Sequence, residues 1–289
     1  MPLSFVLEFQ RKISKTVFFA MVMCVAVAGI CSTAKAETVY SFGVVPQFEP
    51  RKLASIWLPV LEKLEKKTGL KFKMVGSPRI PDFELSFTNN EFDFAYMNPY
   101  HAMLAASGGG YVPLVKDANR KLFGVLVVRK DDAIKDVSEL KPGTEIAFPS
   151  PNALGASLLM RADLGKKFGL EFTPVYVQTH SSVYLQVVLG KMRAGGGVMG
   201  SLKGQKPEIQ KHLRVLYETR RMSPHPVMAH SRVPADHRER VRQAFIEIGQ
   251  TDEGRKLLSG IPMNKVAPAA IEDYMSLADW GLEEYYVKQ

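Results

Sequence analysis

The segment from Thr38 to Gly76 places an amphipathic helix between two strands, and this order limits the fold more than any other feature of the chain. The run TVYSFGVV is rich in β-branched and aromatic residues, and LKFKMVG alternates apolar and basic residues, as a strand with one wet face does. Between them, RKLASIWLPVLEKLEKKTG carries apolar residues at helical spacing from Leu53 to Leu64, and Gly69 supplies a stop. Strand, helix and strand in this order form a βαβ unit, which predicts an α/β sheet.

The same alternation starts again in the second half of the chain and predicts a second α/β lobe. SPNALGASLLMRADLGKKFGL and SSVYLQVVLGKMRAG have helical patterns, and TPVYVQ and GGVMGS have strand patterns. We expect the chain to leave the first lobe near Val128 and to return near His225. The first lobe is then residues 37–128 plus 225–289, the second is 129–224, and the last helix packs back on the first.

The first 36 residues have the pattern of a secretory signal peptide. Basic residues precede the apolar run TVFFAMVMCVAVAGI, and the following AKA supplies an Ala-x-Ala cleavage pattern. The apolar run has about 15 residues, against roughly 20 for a membrane-spanning helix. We therefore expect cleavage after Ala36 and a periplasmic protein. An uncleaved anchor and a lipoprotein modified at Cys31 are the alternatives.

Cysteine and histidine usage excludes several kinds of site. Both cysteines, Cys24 and Cys31, lie in the predicted signal peptide, so the mature chain has no disulfide, thiol nucleophile or thiolate metal site. Four histidines have no partner at metal-ligand spacing; they are His101, His212, His230 and His237. No metal and no cofactor is expected.

Net charge favours small anions over nucleic acid as partners. The chain has 38 Lys and Arg against 29 Asp and Glu, and residues 1–36 hold four and one of these, which leaves a net charge of +6 for the mature chain. No block of five or six basic residues occurs. The charge therefore suits a solvated surface or a small anionic solute.

Four segments carry a resemblance to a known family, and they stand in that family's order and spacing: FDFAYMNPYHAMLA, VSELKPGTEIAF, HSSVYLQVVLGKMRAGGGV and HPVMAHSRVP. From about Val39 to the helix near Leu258, the chain resembles the phosphate/phosphite/phosphonate-type substrate-binding proteins of ABC importers, the family of the phosphonate-binding protein. The resemblance implies a type II periplasmic binding protein, whose two α/β lobes are joined by two hinge crossings and close on a small oxyanion or phosphonate-like solute. It also implies ABC permease subunits as membrane partners.

Two other functions use the same fold. The closed protein can act as the sensory partner of a membrane sensor kinase, in place of delivering a solute to a permease. An enzyme on this fold is the less expected alternative, because no activated nucleophile is visible in the mature chain.

Two loops of the first lobe supply candidate ligand contacts. Phe48, in VPQFEP, either covers the edge of the core or contacts the ligand. Pro99 and Tyr100 match the family's Pro-x-Tyr-type turn, whose aromatic hydroxyl reaches the ligand. Asn98 stands where relatives usually carry glycine, and it either caps the following helix or points into the cleft. Tyr96 alternates along its strand with core residues and is either core or site.

The loop FPSPNALGAS of the second lobe departs from the family pattern. Relatives carry an Asp-Pro-x-Ser-Thr-Ser-Gly-like loop, whose hydroxyl and N–H groups grip the phosphonate oxygens. Here the loop is one residue shorter, and Ala153 and Leu154 replace the hydroxyls, which costs roughly 1–3 kcal/mol for each charge-assisted bond that is lost. Ser150 and Asn152 either bond a ligand or cap the helix.

The last candidate loop, QTHSSVYLQ, opens another helix of the second lobe. His180 and Ser181 match a His-Asp pair of the family, with Ser181 in place of the acid, and Ser182 follows. AGGGVMGS, residues Ala194–Ser201, replaces an Ala-Asp-Ala-Gly-like strand of the family, and its three successive glycines allow close backbone packing near the cleft. The residues expected to bind the ligand are thus Phe48, Tyr96, Asn98, Tyr100, Ser150, Asn152, His180, Ser181 and Ser182.

Overall fold

The computed structural model describes residues 38–288, which form two sheets with helices packed on them. The predicted signal peptide, with both cysteines, lies outside the described residues. In chain order the strands are β1 (Val39–Val44), β2 (Lys71–Gly76), β3 (Phe94–Tyr96), β4 (Tyr111–Asp117), β5 (Gly124–Arg129), β6 (Thr144–Phe148), β7 (Phe172–Tyr176), β8 (Ala194–Val198), β9 (Leu213–Glu218), β10 (Val227–His230) and β11 (Val266–Pro268).

Ten α-helical segments connect these strands within the described residues. They are α1 (Pro50–Thr68), α2 (Ile80–Thr88), α3 (Pro99–Gly108), α4 (Leu159–Ala162), α5 (His180–Val188), α6 (Met199–Lys203), α7 (Pro207–Gln210), α8 (Ala235–Gln250), α9 (Asp252–Leu258) and α10 (Glu272–Met275). Two π-helical turns, Leu154–Leu158 and Asp163–Lys167, flank α4 and make one helical segment with it. None of the helices in residues 38–288 has the length and apolarity of a membrane span.

The two sheets share one topology over five strands, and β11 adds a sixth strand at the edge of the first. The first has the order β11-β4-β10-β3-β1-β2 and the second β7-β6-β8-β5-β9. In the first sheet, β1 pairs in parallel with β2 and β3, and β10, which follows the return from the second sheet, pairs antiparallel with β3 and β4. In the second sheet, β6 pairs in parallel with β7 and β8, and β5, which follows the passage from the first sheet, pairs antiparallel with β8 and β9. We call each sheet with its helices a lobe. The predicted α/β class, with a second half that follows the plan of the first, is confirmed.

The first crossing lies earlier than the sequence suggests. Val128 is inside β5, and β5 pairs with β8 and β9 of the second sheet. The passage from the first sheet to the second is therefore the segment 118–123 between β4 and β5. The predicted exit near Val128 is wrong because an apolar strand has the same pattern in either sheet. The return lies between β9 and β10 and includes the predicted His225.

The two crossings are joined to each other. Leu122 and Met222 form an isolated antiparallel bridge, in which each N–H donates to the other residue's carbonyl at 2.9 Å. Gly124 and Thr219 extend this contact, because the Gly124 N–H donates to the Thr219 hydroxyl at 2.8 Å. The lobes are thus connected by a short two-stranded ribbon.

Aromatic packing on β1 holds the first lobe together. Phe42 stacks on Phe94 of β3 with ring centroids 6.2 Å apart, and Trp57 of α1 lies 5.2 Å from the Phe42 ring. All three side chains are buried. The predicted apolar stripe of α1 therefore faces the sheet, and the helix ends at Gly69, which has a left-handed φ of 67°.

The helical segment from Leu154 to Lys167 packs closely on the backbone of the second sheet. A Cβ at Gly124 would lie 1.9 Å from the Gly155 carbonyl oxygen, and a Cβ at Gly196 would lie 2.1 Å from that of Ala156. Gly195 and Gly197 likewise allow α5 to pack closely on β8, because a Cβ at Gly195 would clash with the Val183 side chain and one at Gly197 with the Tyr184 side chain. The glycines of β8 serve backbone packing, as the sequence suggests.

Replacing Gly196 by alanine should destabilise the protein by about 1–3 kcal/mol, because the added methyl group displaces the helical segment. Urea unfolding followed by circular dichroism measures the loss. Gly76→Ala, at the end of β2, is the matched control, since a Cβ there has no neighbour within 4 Å. Equal free energies of unfolding for the two variants would contradict this account of the close approach.

Candidate functional site between the lobes

A small cavity lies between the lobes, where the carboxyl ends of strands from both sheets meet. Its walls come from the residues after β1, β2, β3, β6 and β7, from the end of β8 and from the two crossings. Its volume is about 20 Å³, which is room for about one water molecule. Crevices outside the carboxyl ends of strands are the usual ligand sites of α/β sheets.

The polar part of the small cavity consists of neutral side chains. Gln47, Asn98, His180 and His225 contribute it, and the remaining lining residues are apolar or glycine. Apolar side chains cover the second-lobe wall at Ala153, Leu154 and Ala156. No Asp, Glu, Lys or Arg side chain lines this cavity within residues 38–288.

Helix amino termini of both lobes face the small cavity. Asn98 is the N-cap of α3, Leu154 opens the first π-helical turn, and His180 is the first residue of α5. The N–H groups of a first helical turn lack carbonyl partners within their own helix and carry a partial positive charge. The cavity therefore favours a negatively charged group without holding a fixed cation.

Asn98 fulfils both roles that the sequence leaves open. Its side-chain oxygen accepts a hydrogen bond from the N–H of His101 at 2.9 Å, which caps α3. Its amide nitrogen lies 3.4 Å from the carbonyl oxygen of Asn152, across the space between the lobes. Asn98 is therefore a helix cap, a wall of the cavity and a contact between lobes.

Two buried histidines line the small cavity. His180 is 3 % exposed, and its Nδ1 lies 3.0 Å from the Ser201 hydroxyl oxygen. His225 is 9 % exposed, and its Nε2 lies 3.0 Å from the Gln47 amide nitrogen. Burial lowers the pKa of His180 to about 4. Burial, with the positive charges that His101 and His180 carry when protonated, lowers the pKa of His225 to about 3. Both rings are neutral at pH 7.

Asn152 is occupied by protein groups. Its amide nitrogen donates to Glu84 Oε2 at 3.0 Å and to the Val287 carbonyl at 2.7 Å, and its oxygen accepts from the Val287 N–H at 2.9 Å. Glu84 also accepts from His101 Nε2, at 2.7 Å. Asn152 thus ties the second lobe to α2 of the first lobe and to the C-terminal tail.

A larger cavity, which we call the groove, adjoins the small cavity. It has a volume of about 850 Å³ and lies between α1, the two crossings, α6 and the loop Ser259–Pro262. Of the predicted site residues, Phe48 and Tyr96 line it. Tyr96 is also core: its ring lies 5.0 Å from Trp57, its hydroxyl donates to the Ile261 carbonyl at 3.3 Å, and burial raises its pKa.

Five predicted site residues line neither cavity: Tyr100, Ser150, Asn152, Ser181 and Ser182. Tyr100 is 5 % exposed and packs against Tyr286 of the C-terminal tail, with ring centroids 5.5 Å apart. The Ser182 hydroxyl lies 2.9 Å from that of Thr179, the N-cap of α5. The Ser150 hydroxyl is buried and has no hydrogen-bond partner among the described residues.

Sequence reasoning did not include Gln47, Leu122 and Val198 in the site, and it placed His225 only at the hinge or rim. All four residues line both cavities. Gln47 directly precedes Phe48 in a loop that the sequence does single out. Leu122 and Val198 carry no chemical signal, because apolar residues next to strands are typical of any core.

Residues 42–274 match the family described as "ABC transporter, phosphonate, periplasmic substrate-binding protein". The chain belongs to this family. The match covers most of the chain and both lobes, and it confirms the predicted resemblance. The predicted function is confirmed with it: this is a solute-binding protein of an ABC importer, in a family of periplasmic binding proteins.

Individual relatives of this binding protein agree with the family. The phosphonates-binding periplasmic protein of Escherichia coli K12 is 22% identical over 235 residues, which span 77% of this chain and 70% of the relative. A binding-protein component of an ABC phosphonate transporter from Pseudomonas aeruginosa has a TM-score of 0.76 at 17% identity, over 86% of each chain. A phosphonate-binding protein from Prochlorococcus marinus, solved with methylphosphonate, has a TM-score of 0.76 at 14% identity, over 86% of this chain and 99% of its own. These structural likenesses show the type II periplasmic binding protein fold.

The buried histidines should make the binding protein less stable in acid. Because the folded state lowers their pKa values, the unfolded state binds more protons below pH 6.5, and stability falls as the pH decreases toward 4. Between pH 7 and pH 5 each histidine accounts for a loss on the order of 2 kcal/mol.

Between pH 7 and pH 5, the free energy of unfolding of the His180→Gln variant should therefore decrease by roughly 2 kcal/mol less than that of the unsubstituted protein. Urea unfolding at both pH values provides the measurement, and His212→Gln, at an exposed position, should keep the original pH dependence. If His180→Gln shows the same loss as the unsubstituted protein, His180 is not held neutral by burial.

Asn152→Ala should reduce the free energy of unfolding by about 1–3 kcal/mol, because it removes the buried hydrogen bond to Glu84 Oε2 and both hydrogen bonds to the Val287 backbone. Chemical denaturation measures the loss, and Asn119→Ala, in an exposed turn, serves as the control. An unchanged midpoint for Asn152→Ala would show that this link between lobes contributes nothing to stability.

Proposed function

We propose that this binding protein captures a phosphonate or a similar small oxyanion in the cleft between its lobes and delivers it to ABC permease subunits in the membrane. The observation that carries the proposal is the convergence of three helix amino termini, from both lobes, on one cavity with neutral polar walls. Such a site attracts an anion through N–H groups and amide or imidazole donors. The methylphosphonate bound by the Prochlorococcus marinus relative supports the same class of ligand.

Lobe closure is the proposed mechanism of capture. The first lobe is the first sheet with its helices, the second lobe is the second sheet with its helices, and the ribbon at Leu122 and Met222 is the hinge. Direct hydrogen bonds link the lobes, among them the 3.3 Å bond from the Lys52 ammonium to the Gly204 carbonyl. A ligand that bonds to both lobes favours the closed state by its differential affinity for the two states.

The second-lobe wall distinguishes this chain from phosphonate binders with a hydroxyl-rich loop. Ala153 and Leu154 are buried and pack in one apolar core with Val45 and Ile80 of the first lobe. The bound oxyanion is therefore held by backbone N–H groups and by Asn98, His180 and His225, in place of a row of hydroxyls.

Export through a cleavable signal peptide completes the proposal. Residues 1–36 direct the chain to the periplasm, and cleavage follows Ala36. The mass of the protein recovered from a periplasmic extract tests this directly: a mature chain starting at Glu37 is expected, and a lipid-modified chain starting at Cys31 would overturn the cleavage site.

Titration calorimetry of the mature protein with methylphosphonate tests the ligand class. We expect Asn98→Ser, which keeps a capping side chain, and His180→Gln to weaken binding about 10- to 100-fold, the value of one charge-assisted bond. His212→Gln is the matched control and should bind as the unsubstituted protein does.

A screen against phosphate and sulfate under the same conditions measures selectivity. Unchanged affinity in both site variants would show that the ligand does not bind at the small cavity. A protein that binds none of these oxyanions would refute the proposed ligand class.

A further inference from the structure

The groove is far larger than a methylphosphonate ligand requires. Its volume of about 850 Å³ falls in the range of about 300–1,000 Å³ that is typical of sites for drug-sized molecules. The small cavity, at about 20 Å³, has no room for the organic part of any solute. The groove is therefore the part of the cleft that can accept a substituent larger than methyl.

A polar contact between Gln47 and His225 lies at the boundary between the two spaces. Gln47 and His225 line both cavities, and the Gln47 amide nitrogen lies 3.0 Å from His225 Nε2. The His225 ring is fixed by stacking on Tyr96, with centroids 5.3 Å apart at 22°. Gln47 is half-buried and lies on the loop after β1.

Apolar side chains also line the groove. The rings of Phe48 and Phe123 line it, together with the side chains of Ile56 and Met199. All four side chains are half-buried and partly accessible. Aromatic and methionine side chains of this kind favour an apolar or ring-shaped substituent.

The groove wall is also strongly basic. Its lining residues include five bases, Lys52, Arg120, Lys121, Lys203 and Arg221, and one acid, Glu218. Glu218 lies 3.2 Å from Arg221, and that guanidinium also lies over the Phe123 ring at 4.2 Å. Lys52 lies 3.9 Å over the Phe48 ring, and within residues 38–288 neither it nor Lys203 has an ion-pair partner. The excess of positive charge is therefore available to a ligand.

We infer that the solute of this protein is an organic oxyanion with a ring-sized apolar body and a second negative charge, whose head group lies where the groove meets the small cavity while its body lies in the groove. This inference rests on the proposed function, because it assumes the oxyanion site at the helix amino termini. It names the substrate class of that site: a phosphonate or phosphate monoester larger than the methyl compound, with two separated acidic groups.

Three ligands of increasing size test the inference by calorimetry on the mature protein: methylphosphonate, phenylphosphonate and 4-phosphonobenzoate. We expect phenylphosphonate to bind at least 10-fold more tightly than methylphosphonate, because its ring covers apolar surface in the groove. Because of its carboxylate, 4-phosphonobenzoate should bind several-fold more tightly than phenylphosphonate. Raising the salt concentration should reduce this difference in affinity.

Two substitutions in the groove lining test whether the gain in affinity for the larger ligands arises there. Met199→Ser should reduce the advantage of phenylphosphonate over methylphosphonate, and Lys203→Gln should reduce the advantage of 4-phosphonobenzoate over phenylphosphonate. Neither residue lines the small cavity, so both variants should keep the affinity for methylphosphonate. Lys211→Gln, an exposed lysine outside the groove lining, is the control, and thermal unfolding of each variant verifies folding.

The outcomes separate the two proposals. If methylphosphonate binds and the larger ligands bind no more tightly, the inference about the groove is wrong and the proposed function stands. If the larger ligands bind more tightly but Met199→Ser and Lys203→Gln leave their advantage intact, the groove is not where the organic body lies. If none of the three ligands binds, the proposed function fails and takes this inference with it.

Discussion

The close approach of the helical segment Leu154–Leu158 to the backbone of β5 and β8 is the constraint on which the cleft depends. Gly124 and Gly196 allow carbonyl groups of the segment to come within about 2 Å of where a Cβ would stand. The segment thereby reaches the space between the lobes, where Leu154 and Ala156 line the small cavity and pack with the apolar core of the first lobe. Any larger side chain at either glycine would move a wall of the site and a contact between lobes together.

The electrostatics of the cleft divide into two regions. In the small cavity the attraction for an anion comes from helix amino termini and neutral donors, because its polar side chains are amides and imidazoles that burial keeps uncharged. In the groove it comes from Lys and Arg side chains at the margin of the solvent. Salt screens the buried first region weakly and the exposed charges of the second strongly. In the proposed function, the first region therefore accounts for binding of the head group and the second for the response to net charge.

Individual residues show which site positions could be predicted from the sequence and which could not. Asn98 and His180 were predicted at helix starts and do line one cavity, because a residue that caps or opens a helix after a strand has its position fixed locally. Tyr100 and Asn152 were predicted from equally local patterns, yet they pack against Tyr286 and Val287, which lie far away in the sequence. Local patterns carry no information about such a partner. The crossing before β5 was misplaced for a related reason, since the apolar residues Val125–Val128 suit a buried strand of either sheet.

By itself the sequence determined the alternation of strands and helices, the family, and the glycine-rich and helix-opening segments near the cleft. These features depend on periodicity, on turn chemistry and on motifs that stand within a few residues of one another. Only the tertiary structure decided that β5 belongs to the second sheet, that Gln47 meets His225, and that the cleft consists of a small neutral cavity beside a large basic groove. The residue pairs behind the first two properties lie 66 or more positions apart in the sequence, and the spacing along the chain leaves such pairs undetermined.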